Sequence, residues 1–192
     1  MNTDTFIIFI MLALIVLGLA IGLFQSKKRG EILTLEAEKR GGEFSKSSLF
    51  GRQELRLPFK GNTVLIYSVP GSRYSPPRTY ATLKSDTINL PAIGIAPNSV
   101  SQKLIGAFGK ERYLTNDEEF DKKIVVRGDD PFALQRLLGT DVKQKLTDGS
   151  LRNLEVKFKP HEFQFTIQAI PSNEDGYDNF IDTALLLLQK VM

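Results

Sequence analysis

Few residues in this chain have the type and spacing to do chemistry. The densest group is acidic: Asp117, Glu118, Glu119 and Asp121. Hard cations need several oxygens converging on one point, so the run invites a calcium or magnesium reading. The EF-hand pattern is absent, because its glycine and its closing Glu are missing from their positions. A solvated loop ahead of a strand is the simpler expectation, since surface carboxylates are common without a ligand. Asp129 and Asp130 come next, directly before Pro131. That order reads as a helix N-cap with proline at the first helical position, both carboxylates gaining from the helix dipole. An enzymatic alternative would have to gather Asp117, Asp121, Asp129 and Asp130 in one deep pocket.

His161 is the single histidine, which excludes any site needing two imidazoles. It lies between Pro160 and Glu162 in an expected turn, with no nucleophile or orienting group at a recognisable spacing. Ser45, Ser47 and Ser48 follow Gly41 and Gly42, but no G-x-S-x-G elbow exists. Neither G-x-x-x-x-G-K-[ST] nor G-x-G-x-x-G occurs. There are no cysteines, which removes disulfides, thiolate catalysis, thiolate metal sites and palmitoylation. The expectation is a chain with no catalytic residue, no metal site and no cofactor.

What the sequence does specify is a membrane segment. Residues 6–24 are 19 consecutive Phe, Ile, Leu, Val, Met, Ala or Gly residues. At about 1.5 Å per residue this spans roughly 28 Å, the depth of a bilayer core. A cleaved signal peptide fits less well. No Lys or Arg precedes the run, the run exceeds a signal core of about 7–15 residues, and no small-x-small cleavage site follows. Lys27, Lys28 and Arg29 sit immediately behind it, while only Asp4 is charged ahead of it. Positive flanks stay cytoplasmic, so the expected topology is N-terminus out and residues 25–192 inside, in a bacterial inner or internal membrane. Gly18 and Gly22 form a G-x-x-x-G pair that would let a second helix approach closely, from another copy or another membrane protein.

Charge divides the remainder. Residues 27–115 carry 15 basic and 7 acidic side chains, a net of +8, and residues 116–192 carry 10 and 14, a net of −4. The basic half adjoins the membrane segment. Anionic headgroups attract such a surface by about 1 kcal/mol per nearby cation. Nucleic acid is not expected as a partner, because the basic residues are dispersed and no recognition motif accompanies them.

These features must be positioned by the following elements. The spacing of Ile32, Leu35 and Lys39, with an i,i+4 Glu36–Arg40 pair, continues the membrane helix as a stalk that Gly41-Gly42 ends. Leu55, Leu57 and Phe59 alternate with Arg56 and Pro58, residues 63–69 are rich in β-branched and aromatic side chains, and Lys60-Gly61-Asn62 joins the two runs as a tight turn, which predicts a hairpin. Residues 70–77 read as a loop, 79–84 and 88–95 as strands (the latter broken by Pro91), and 98–108 as a short helix. A strand is expected over 120–127, then a helix from Pro131 with Phe132, Leu134, Leu137 and Leu138 inward, and a turn of helix through Val142 and Leu146. Alternation over 154–158 and 163–167 gives the clearest hairpin. Tyr177, Phe180, Ile181, Ala184, Leu185, Leu188 and Val191 give the clearest helix.

The fold class is therefore α+β: one N-terminal transmembrane helix, then a mostly antiparallel sheet packed against a C-terminal helix. The divisions expected are 1–5 outside, 6–24 in the membrane, 25–42 as a juxtamembrane basic segment and stalk, and 43–192 as the domain. Arg40-Gly41-Gly42, the stretch Phe59-Lys60-Gly61-Asn62-Thr63-Val64 and the run from Asp117 through Ile124-Val125-Val126-Arg127-Gly128 to Asp130 resemble those of bacterial membrane-anchored proteins with a cytoplasmic domain of unknown function. That resemblance implies no active residues. The functional expectation is a non-catalytic interaction domain, serving as accessory or scaffold subunit of a membrane complex. A surface module for anionic membrane lipid is the alternative, and an enzyme built on carboxylates is the third reading.

Overall fold

The computed structural model describes residues 3–46, 52–99 and 111–192, with side chains from residue 7 onward. One helix, α1 (Thr3–Arg40), runs unbroken from the apolar segment into the domain. Nothing in its sequence breaks it, because no proline occurs before residue 58. It ends where expected. Gly41 takes a positive φ of 64°, and the Gly42 N–H donates to Ala37 O at 2.8 Å, so the last carbonyls are capped in a Schellman arrangement.

The two halves of α1 differ in what they touch. Residues 7–24 are exposed on every side. Among the described residues this is the one helix long and apolar enough to cross a membrane. From Ser26 onward one face turns inward, and Ile32, Leu33, Glu36 and Ala37 are buried. Leu35 does not share that face as expected: it is 50% exposed. The helix rolls so that Leu33 and Ala37, four residues apart, meet the sheet.

Among the described residues eight strands form one sheet: β1 (Glu43–Lys46), β2 (Gln53–Phe59), β3 (Asn62–Val69), β4 (Arg78–Lys84), β5 (Ile93–Pro97), β6 (Ile124–Gly128), β7 (Glu155–Lys159) and β8 (Glu162–Ile167). Their order is β1-β2-β3-β4-β8-β7-β5-β6, and every pairing is antiparallel. Both expected hairpins form. Lys60 (φ 47°) and Gly61 (φ 77°) make the two-residue turn of the first. Pro160 and His161 (φ 65°) make that of the second. Strand β5 is shorter than expected and begins only after Pro91, which has no N–H to give a ladder.

Two other expectations need correction. Residues 118–123 are not the start of a strand but a short helix, α2 (Glu118–Lys123). Asp117 caps it, accepting from Phe120 N at 3.1 Å, and the strand starts only at Ile124. The acidic run is thus a helix start rather than a loop. Helix α3 (Pro131–Leu137) is capped by Asp130 as expected, but Phe132 is 83% exposed and Ala133 takes the inward position. Helix α4 (Thr140–Thr147) follows, with Val142 and Leu146 buried. Most of the helix expected over 98–108 lies outside the described residues.

Helix α5 (Glu174–Gln189) starts at the Asn173 cap and lays Tyr177, Phe180, Ile181, Ala184 and Leu188 on the core, together with Leu187. The inward residues of the strands (Leu55, Leu57, Val64, Ile66, Leu83, Phe163, Phe165) complete that core. Phe165 of β8 stacks on Phe180 of α5, ring centroids 4.9 Å apart. Burying each such ring contributes about 1.5–3 kcal/mol. Ile32, Leu33 and Ala37 of α1 belong to the same cluster, so the helix that carries the apolar segment is also part of the domain's interior.

Candidate functional site

The feature that distinguishes this molecule is the end of the sheet domain from which α1 departs. Gln53, at the start of β2, donates from Nε2 to Ser26 O at 2.8 Å. Further along, Gly42 lies so close to β2 that an added Cβ would meet Arg56 O at 2.4 Å. Strand β2 therefore runs beside α1 and away from the apolar segment. The register then places the end of β3 (Val69), the start of β4 (Arg78) and the end of β8 (Ile167) at the Gln53 end. Loops 70–77 and 168–173 share that end.

Charge and aromatic character gather there. Arg52 lies over the Tyr67 ring, 3.3 Å from its centroid, and pairs with Glu54 at 3.0 Å. Tyr74 is 89% exposed at the tip of the 70–77 loop, with the Arg73 guanidinium 5.8 Å from its ring centroid. Tyrosine with a cation beside it suits a membrane–water boundary, where an apolar ring and a polar tip are both accommodated. On α1, Lys27 pairs with Glu31 at 3.9 Å, while Lys28 and Arg29 have no ion-pair partner among the described residues. Two clefts flank the helix at this level. One, of about 830 Å³, lies between Ala20, Phe24, Lys28 and Arg29 on one side and Pro77 and residues 170–172 on the other. The second, of about 490 Å³, is bounded by Arg29, Arg52, Gln53 and Ser68.

The attitude of α1 is fixed by a second group that the sequence reading only half identified. Glu36 is fully buried and accepts from Arg40 Nε at 2.8 Å. Arg40 also pairs with Asp182 at 2.7 Å and with Asp178, and Lys39 reaches Asp178 as well. Carboxylate oxygens of Glu36, Glu174 and Asp178 lie within 4.8 Å of one another. Lys39 and Arg40 offset part of this negative charge, and their pairs with Glu36, Asp178 and Asp182 make the group an ion-pair clasp between α1 and α5. Burial pushes the Asp178 carboxyl up, but hydrogen bonds from Lys39 and Arg40 outweigh it and hold the group below its ordinary range. The Glu36–Arg40 pair is visible in the sequence. The acidic spacing 174, 178, 182 was the overlooked signal, since residues four apart share one helical face.

The residues singled out for chemistry do not assemble. Asp117 caps α2 and meets Lys143 at 3.5 Å; the Phe120 N–H lowers its carboxyl from the usual range. Asp121 accepts from Thr115 N and Oγ1, each at 3.0 Å. Asp130 caps α3 through Phe132 N and Ala133 N. An open cleft of about 740 Å³ beside α2 includes Glu118 and Asp121 but neither Asp129 nor Asp130. His161 is exposed in its turn, 3.5 Å from Asp86. Gly18 and Gly22 lie on the exposed apolar half of α1, and a Cβ added at either would point into open space.

No protein-family model matches the chain, and no curated protein matches it. Among solved structures it is similar to the crystal structure of the mycobacterial trehalose monomycolate transport factor A. The TM-score is 0.51 at 10% identity, over 85% of this chain and 96% of that chain. At that identity the likeness concerns the fold alone. It supports the α+β sheet domain as a recurring architecture.

Proposed function

We propose that this protein is a membrane-tethered, non-catalytic accessory subunit that presents its sheet domain at a fixed attitude on the cytoplasmic face of a membrane complex. The observation that carries the reading is the continuity of α1: one helix holds the apolar segment at one end and buries Ile32, Leu33 and Ala37 in the domain at the other. A tether meant only for anchoring would be served by a flexible linker. A stiff one transmits position. The similar fold belongs to a protein whose name describes a transport factor, which fits an accessory role beside a membrane transporter. Lys27, Lys28 and Arg29 orient the helix with its C-terminal side in the cytoplasm, and Gly18 and Gly22 offer the partner helix a close approach.

The test is affinity purification of the full-length protein from its native membrane in mild detergent, followed by mass spectrometry. A stable membrane-protein partner is expected, and Gly18→Leu with Gly22→Leu should reduce its yield. Recovery of a free monomer alone at every expression level would refute the reading.

A further inference from the structure

We infer that the cleft between the base of α1 and the domain binds one anionic phospholipid of the surrounding bilayer, headgroup on Lys28 and Arg29, acyl chain along Phe24 and Ala20. The inference rests on the membrane seat of the proposed function, but not on the existence of a protein partner.

The cleft straddles the point where α1 changes chemistry. Its lower wall is Ala20, Ile21 and Phe24, the last turns of the apolar segment. Its upper wall carries Lys28 and Arg29, one to two turns further on. At about 1.5 Å per residue, Ala20 and Arg29 lie roughly 13 Å apart along the axis. That is the depth over which a phospholipid passes from upper acyl chain to phosphate. The opposing wall is protein: Pro77 and residues 170–172, which descend from the strand ends beside the helix. A lipid in this space is thus held on two sides rather than merely attracted to a surface.

Charge complementarity selects the ligand. Lys27 already has Glu31, but among the described residues neither Lys28 nor Arg29 has a carboxylate partner and no acidic side chain lines the cleft. Two cations above an apolar floor fit an amphiphile whose anionic end and hydrocarbon end lie on the same axis. A free inorganic phosphate would leave the Phe24 and Ala20 wall unfilled. A volume of about 830 Å³ accommodates a headgroup, its glycerol and the first part of one chain, within the usual range for small-molecule sites.

The test is native mass spectrometry of the full-length protein released from nanodiscs of phosphatidylglycerol mixed with phosphatidylcholine. Wild type is expected to retain one phosphatidylglycerol. Lys28→Gln with Arg29→Gln should lower retention about thirtyfold, at about 1 kcal/mol per cation. Lys27→Gln, which removes the same kind of charge outside the cleft, should leave retention unchanged. Ser172→Trp should abolish it by filling the space without altering charge, and an unchanged melting temperature would show that the variant is folded. Equal retention of both lipids, equal effects of the Lys27 variant and the double Lys28 and Arg29 variant, or undiminished binding by a folded Ser172→Trp protein would overturn the inference. Loss of the protein partner with retained lipid would count against the accessory role alone.

Discussion

At the scale of single residues, the decisive group is the clasp between α1 and α5. Arg40 serves three carboxylates, and one of them, Glu36, is fully buried. Removing one partner of a buried pair strands the other charge, which costs about 3–5 kcal/mol. Arg40→Ala should therefore destabilise the protein by that amount in chemical denaturation, and adding Glu36→Gln should restore part of it. Within the clasp Asp178 makes the fold acid-sensitive, whereas burial pushes the Glu36 carboxyl up and acts in the opposite direction. The Asp178 carboxyl is held below its ordinary 3.8 by Lys39 and Arg40 acting against burial. Such a group contributes stability above the unfolded value and loses it as pH falls toward the folded one. Asp178→Asn should flatten the decline in melting temperature below about pH 4, with little change in the slope near neutrality.

At the scale of elements, most of the fold was legible because most strands have one buried face. Leu55 and Leu57 flank Arg56, Phe163 and Phe165 flank Gln164, and Val64 and Ile66 belong to a β-branched and aromatic run; all six pack inward. Both hairpins followed from this pattern and their turns. Helix α5 followed from its three- and four-residue spacing. The failures have local causes. In α2 the helix is set by the Asp117 cap, a signal shorter than any periodicity. The apolarity of Phe132 suggests an inward position, but with Pro131 at the first turn it is Ala133 that faces the core, beside Leu134 as expected. Leu35 was misplaced because a helix seen as a free stalk shows no preference between neighbouring faces. Its buried face is chosen by β1 and β2, which lie beyond it in sequence. The membrane-proximal clefts were illegible for the same reason, since they join residues near 24 with residues near 77 and 171. The junction at Gly42 gives a direct check. Gly42→Ala would press a Cβ into Arg56 O and Leu57 Cδ2, at 2.4 and 2.6 Å. A loss of about 1–3 kcal/mol is expected from overpacking, read as a lower denaturation midpoint.

At the scale of the whole molecule, the membrane helix and the domain share one interior. A fragment of residues 43–192 lacks Ile32, Leu33, Ala37 and the Arg40 clasp, whereas a fragment of residues 28–192 retains them. The longer fragment should be markedly more resistant to urea and to protease, and equal stability would show that α1 contributes only an anchor. The charge division of the sequence is only partly a division in space. Arg52, Arg73 and Arg78 belong to the membrane-proximal end, but Lys60 and Lys84, also from the basic half, sit at the far ends of their strands. On the proposed seating, attraction to the bilayer would act around the base of α1 rather than over the whole basic half.

The seating of the domain is the claim on which the functional reading stands, and the absence of cysteine allows a clean probe of it. Single Tyr74→Cys, Ile170→Cys and Lys60→Cys variants of the full-length protein would each carry one fluorophore in vesicles containing a lipid quencher. Strong quenching at positions 74 and 170 with none at 60 is the expected result. Equal quenching at all three positions, or quenching greatest at 60, would contradict a domain held upright on its helix at the membrane surface.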